Sequence, residues 1–311
     1  MASFRRILVP VDLSPLSLLA VRYAAALARH DQATLCLLHA VQDLTPLTAG
    51  GGDYSAVAAQ YLGEAESEAK RALEKAVPAE VTQGLEVFRE TVVGAAGERI
   101  LEFAKSRQID LICIGTHGRG GLKRMLLGSV AERVVQHAGC PVLVVRQRAG
   151  APADPPDAAL SLRRILVPVD FSETNQSAIA EGAELAVRFG AELHLLYVVE
   201  DSSPALTKTA ATSPVFRSYV QDLTTNGEKD LAAVAVPASV PASSVHRQVA
   251  VGDPIDKITA HAREHEIDLV VMSTHGRTGA SHWLLGSVAE RVVRSAPCPV
   301  LVTRSSAKGT S

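Results

Sequence analysis

The sequence has no CxxC pair among its four cysteines, no apolar run of membrane-spanning length and no excess of positive charge. Each absence removes a class of protein. Cys36 and Cys113 lie inside apolar runs that read as buried strands, so a disulfide framework is not expected. The opening stretch MASFRRILVPVDLS offers only a strand-length apolar run, too short for the core of a signal peptide. Nothing approaches the roughly 18 apolar residues of a membrane span. A net charge of −2 argues against a general nucleic-acid binder, which would be strongly basic. These readings predict a cytoplasmic protein with neither nucleic acid nor membrane among its partners.

What is present is a core-forming composition, 47% hydrophobic and 21% charged over 311 residues, enough for two domains of ordinary size. The chain also repeats itself. RRILVPVDLS at residues 5–14 returns as RRILVPVDFS at residues 163–172. Pro10 and Pro168, Val41 and Val199, Gly94 and Gly252, Gly128 and Gly286, and Cys140 and Cys298 all stand 158 residues apart. A constant interval means a duplicated domain with no net insertion between copies. The boundaries follow as 1–147 and 162–311, with the Ala/Pro-rich segment 148–161 as linker.

Within each copy short continuous apolar runs alternate with helical stretches. Strands read as RILVPVD, TLCLLHAV, LEVFRETVV, IDLICIG and PVLVV in the first copy. The first helix takes Ser14 as N-cap and Pro15 as its first residue. The second helix is read from Tyr61, after a long Gly/Ser/Thr-containing connection. Unbroken apolar strands separated by helices give parallel sheets covered on both faces. The fold class is therefore α/β, two tandem doubly wound domains, each of five parallel strands and about four helices.

Ligands of such sheets bind at the carboxyl ends of the strands. Asp12, Val41 and Gly115 fall at such ends in the first copy, and Asp170, Val199 and Ser273 in the second. GTHG leaves the fourth strand, where missing side chains let backbone N–H groups approach an anion. Gly128-Ser129 then opens a helix, whose N-terminus also favours an anion. The spacing G-x-x-G-x9-G-S allows both elements to wrap one polyphosphate. Neither G-x-x-x-x-G-K-[ST] nor a G-x-G-x-x-G after the first strand is present.

Strand one ending in VPVD, the glycine pattern and a final CPVLVV strand together resemble the universal stress proteins, across both halves. Members with this glycine pattern typically bind ATP, so the resemblance implies ATP, with or without Mg2+. It implies that Pro10, Val11, Asp12 and Val41 flank the adenine and ribose, and that Gly115, Gly118, Gly128, Ser129 and Val130 hold ribose and phosphates. The matching positions are Pro168, Val169, Asp170, Val199, Ser273, Gly276, Gly286, Ser287 and Val288. Ser273 departs from the pattern. The resemblance further implies an intramolecular pseudo-dimer, with a homodimer as a further assembly, and a nucleotide-dependent stress-response or signalling module.

Plainer readings stand beside these. Ser129-x-x-Glu132 and Ser287-x-x-Glu290 match a capping box, which would satisfy a helix start without ligand. Arg119 and Arg277 either reach a γ-phosphate or are solvated. His117 and His275 sit in tight turns with no Cys, His or Asp partner nearby, so no zinc site is expected there. No catalytic constellation emerges. A slow ATP hydrolase and a nucleotide-free scaffold remain the alternatives.

Overall fold

The computed structural model describes residues 4–42, 55–116, 127–147, 162–200, 213–274 and 285–304. It divides into two compact units, Met1–Leu160 and Ser161–Ser311. The linker 148–161 and most of both glycine loops, including Gly118, Arg119, Gly276 and Arg277, lie outside the described residues.

The first unit runs β1 (Arg6–Pro10), α1 (Pro15–Asp31), β2 (Thr34–Val41), α2 (Ser55–Ala76), α3 (Ala79–Thr82), β3 (Val87–Val93), α4 (Ala96–Ser106), β4 (Leu111–Gly115), α5 (Ser129–His137) and β5 (Val142–Val145). Its strands lie in the order β3-β2-β1-β4-β5, every pair parallel. The order reverses direction between β1 and β4, and that is where a doubly wound sheet opens a crevice. In β1 the residues Ile7, Leu8 and Val9 are fully buried, as expected of a strand covered on both faces. Leu8 sits between Cys36 of β2 and Ile112 of β4.

The second unit repeats the plan with β6 (Arg164–Val169), α6 (Asn175–Phe189), β7 (Glu192–Glu200), α7 (Pro214–Ala233), β8 (Val245–Gly252), α8 (Pro254–Glu264), β9 (Leu269–Ser273), α9 (Ser287–Ser295) and β10 (Val300–Thr303). Its order is β10-β9-β6-β7-β8, again parallel. One device recurs in both units. The carboxylate of Asp110 accepts the N–H groups of Arg5 and Arg6, and that of Asp268 those of Arg163 and Arg164. Each aspartate thus pins the start of the first strand beside the start of the fourth.

Helix boundaries differ from the sequence reading in three places. Helix α2 begins at Ser55 rather than Tyr61. The stretch SAVAAQ has high helical propensity and no breaker, so nothing stops the helix from extending back toward the glycines. Helix α7 starts at Pro214, with Ser213 as N-cap, inside what the sequence suggested was connection. Helix α1 does start at Pro15, where the Ser14 hydroxyl accepts the Ser17 N–H at 3.3 Å. Its counterpart α6 starts only at Asn175, two residues later in the repeat.

No disulfide joins the four cysteines, and Cys36, Cys113 and Cys298 are buried. Burial, with a smaller contribution from Cys140, pushes the Cys113 thiol far above its ordinary range and leaves it unreactive. Thiol titration of denatured, unreduced protein is expected to count four, with Cys113 silent in the native state; a count of two would contradict this arrangement.

Candidate functional site

The carboxyl ends of β1 and β4 border a cavity of about 230 Å3. Pro10, Val11 and Asp12 line it from β1 and the turn that follows, and Leu38 and Ala40 from β2. Ile114, Gly115 and Thr116 contribute from β4, and residues Gly128, Ser129, Val130 and Ala131 from the start of α5. Ser17, Ala96 and Ile100 complete the lining from α1 and α4. Val41 is not among these residues; its carbonyl accepts the Gly94 N–H at 2.9 Å. Strand alternation explains why Leu38 and Ala40 share the cavity side.

Several local features hold this wall in place. Leu13 has φ 67°, in the left-handed region that a branched side chain rarely adopts. The turn is fixed by the Ser14 N–H donating to Asp12 Oδ1 at 3.0 Å. Burial tends to raise the Asp12 pKa, but the hydroxyl and amide hydrogen bonds from Ser14 outweigh it and hold the carboxyl below its ordinary value. The buried imidazole of His39 meets the Val11 carbonyl through Nδ1, tying β2 to the end of β1. The sequence reading passed over His39 and Ser17; their signal was only proximity to the strand ends.

The start of α5 decides between cap and anion site in one respect. Its N-cap is Gly128, which has no side chain to offer, and Ser129 is already the first helical residue. The capping box expected at Ser129 and Glu132 is therefore not formed, and α9 likewise begins after Gly286 rather than on Ser287. The tetrapeptide matched the motif one position out of frame. Gly128 itself donates to the Thr116 carbonyl at 2.7 Å, which ties the helix start to the end of β4. The first N–H groups of a helix have no intrahelical acceptor and point outward along its axis. Here that end lines the cavity.

Gly115 is needed for packing. A Cβ there would come within 3.0 Å of the Leu16 carbonyl carbon and 3.1 Å of its oxygen, in the first turn of α1. At the matching position the second unit has Ser273, which carries such a Cβ. Ser273 is buried, and the helix beside it, α6, begins two residues later.

In the second unit Pro168 and Val169 end β6, and Asp170 accepts from the Ser172 N–H at 2.8 Å and hydroxyl at 2.6 Å. Phe171 repeats the left-handed turn at φ 61°, its ring against Tyr197 at 4.6 Å. Val199 lies in β7, and Gly286, Ser287 and Val288 form the start of α9. At the positions matching the first unit's cavity lining, four residues are larger in the second: Asn175 for Ser17, Val198 for Ala40, Pro254 for Ala96 and Ser273 for Gly115. Asn175 is 3% exposed and its amide donates to the Pro168 carbonyl at 2.9 Å, at the strand end itself.

Comparison with known proteins agrees with this duplicated frame. The model of the universal stress protein family matches residues 3–146 and again 161–304. The chain is 30% identical over 306 residues to a universal stress protein of Mycolicibacterium smegmatis, covering 96% of each. Over 146 residues it is 36% identical to a universal stress protein of Methanocaldococcus jannaschii, spanning 46% of this chain and 83% of that one. The fold is similar to a universal stress protein structure from Archaeoglobus fulgidus, with TM-score 0.61, 22% identity and coverage of 98% and 97%. Among the described residues no helix is long and apolar enough to cross a membrane.

Proposed function

Because the chain belongs to the universal stress protein family, we propose that its first half binds ATP in the cavity over β1 and β4, and that the protein acts as a nucleotide-dependent stress-response or signalling module. The observation that carries this reading is the start of α5. A helix end with no side-chain cap opens into a cavity with apolar walls, the combination a nucleotide needs. Val11, Leu38 and Ile100 supply apolar surface for a base, and Asp12 an acceptor for a ribose hydroxyl. Ser129 and Val130 present N–H groups to the phosphates, with Gly128 leaving room beside them and with or without Mg2+ among them. Denaturing the purified protein and identifying the released nucleotide tests this directly. ATP or ADP supports it; no nucleotide and no titratable binding would favour a scaffold of the same fold.

The two halves are expected to differ. The second half has larger residues at four positions that match the first half's cavity lining, and Ser281-His282 where the first has Lys123-Arg124. Each lost charge near a partly solvated polyphosphate is worth about 1 kcal/mol and fades with salt. Titration of nucleotide-stripped protein should therefore show a first-half site tighter by about tenfold or more, the gap closing partly at higher salt. Two indistinguishable sites, or a tighter second half, would show the asymmetry to be wrong.

A further inference from the structure

The second unit carries, at the amino ends of its strands, a cluster of side chains remote from the proposed nucleotide site. His194 of β7 and His246 of β8 are direct register partners, with ring centroids 4.8 Å apart. His261 in the last turn of α8 and His265 just beyond it are four residues apart, so they share a helix face. Their rings are 4.1 Å apart, and that of His265 is 5.4 Å from His194. His261 Nε2 lies 3.3 Å from His194 Nδ1. One donor atom each from His194, His261 and His265 falls within 4.8 Å of the others. His194 and Val199 are five residues apart on β7, so the cluster lies roughly 16 Å from the strand end where a nucleotide would sit.

We propose that His194, His261 and His265 bind one divalent first-row transition cation of the zinc type, with the Glu192 carboxylate bracing His194 from outside.

The ligand chemistry selects this class: imidazole suits zinc, copper and nickel, whereas magnesium and calcium take oxygen. The spacing fits as well. Nitrogens bound at 2.0–2.1 Å to a tetrahedral zinc stand about 3.3 Å apart. That is the observed His194–His261 separation. His194 is 6% exposed, yet its Nε2 has no hydrogen-bond partner. Glu192 Oε2 lies 3.6 Å from it. A cation on Nδ1 would place the proton on Nε2, aimed at that carboxylate, the usual outer support of a metal-bound histidine.

The surroundings agree. Burial, then the rings of His265 and His194, lower the His261 pKa to about 4, and burial followed by His246 lowers that of His194. Burial therefore favours the neutral form of both rings, the form that has a lone pair to give. The carboxyl end of α8 adds partial negative charge. Arg164, which lines the same cavity, already pairs with Glu192 at 3.5 Å and Glu266 at 3.2 Å.

The duplication supplies the comparison. At the positions of His194, His246, His261 and His265 the first unit has Cys36, Phe88, Phe103 and Arg107. There the Arg107 guanidinium lies over the Phe103 ring, 5.6 Å from its centroid. The same corner folds without imidazoles, so the fold itself does not require them.

The rival is a plain hydrogen bond between neutral rings, and metal titration separates the two. Tag-free full chain, stripped of metal and nucleotide, is titrated with Zn2+ against a competing chromophoric chelator. One equivalent is expected, with affinity lowered about a hundredfold in His265→Ala and about tenfold in Glu192→Gln. Co2+ should give the visible absorption of a tetrahedral site in the native chain and lose it in His265→Ala, while circular dichroism stays native. His261→Gln serves as second ligand variant should His265→Ala perturb α8. Absence of stoichiometric Zn2+ binding, or binding undiminished in folded His265→Ala and His261→Gln, would overturn the proposal.

Discussion

Replacing Ala40 by phenylalanine is expected to weaken ATP binding by the first half by about a hundredfold, or about 3 kcal/mol, without unfolding it. Ala40 is half-buried and lines the cavity from the end of β2. A benzyl group there occupies the space assigned to the nucleotide. The second half has already taken a step in this direction with Val198. Calorimetric titration of stripped protein reads the result, with circular dichroism as fold control. Native affinity in the folded variant would remove the cavity from the binding mechanism and leave the glycine loop alone.

Leu8→Ala should be the most damaging single truncation of the first unit, at about 3–5 kcal/mol. Leu8 is fully buried in β1, with strands on both sides and helices on both faces. Close-packed neighbours cannot collapse into the space it leaves. Against a total stability of about 5–15 kcal/mol such a loss is severe. Val215→Ala, at a residue 77% exposed, should stay within about 0.5 kcal/mol. Native-state hydrogen exchange reads the buried strands separately from the rest. A Leu8→Ala cost near that of Val215→Ala would mean that β1 is not the centre of the core.

Much of this was readable from the chain because parallel strands buried on both faces leave an unmistakable trace. RILVP, LICIG and VLVV need no partner to be recognised, and their return after 158 residues fixes the duplication. Pro10, Asp12, Gly115 and Gly128 could be placed at one crevice because the topology sends every strand end to the same edge. What the sequence left unresolved were distinctions of a single residue. Ala40 rather than Val41 lines the cavity because side chains alternate along β2. Gly128 rather than Ser129 is the N-cap because the bond from its N–H to Thr116 sets where the helix begins. The histidine cluster was hidden for another reason. Its members sit on two strands and one helix, and only the four-residue step from His261 to His265 is local. Setting the copies side by side would have revealed it, since imidazoles replace a thiol, two phenyl rings and a guanidinium.

Helix α5 is nine residues long and follows a glycine N-cap that offers no side chain to its first N–H groups. So short a helix is marginal by itself, and an anion at its open end becomes part of what keeps it folded. A ligand that binds only the native state adds RT ln(1 + [L]/Kd) to its stability, about 2.7 kcal/mol at a hundredfold excess. With ATP as that anion, resistance of the first half to opening and proteolysis follows the logarithm of free ATP. Energy-starved cells would then hold a looser chain that is degraded sooner, and its lifetime would act as a gauge of the nucleotide pool.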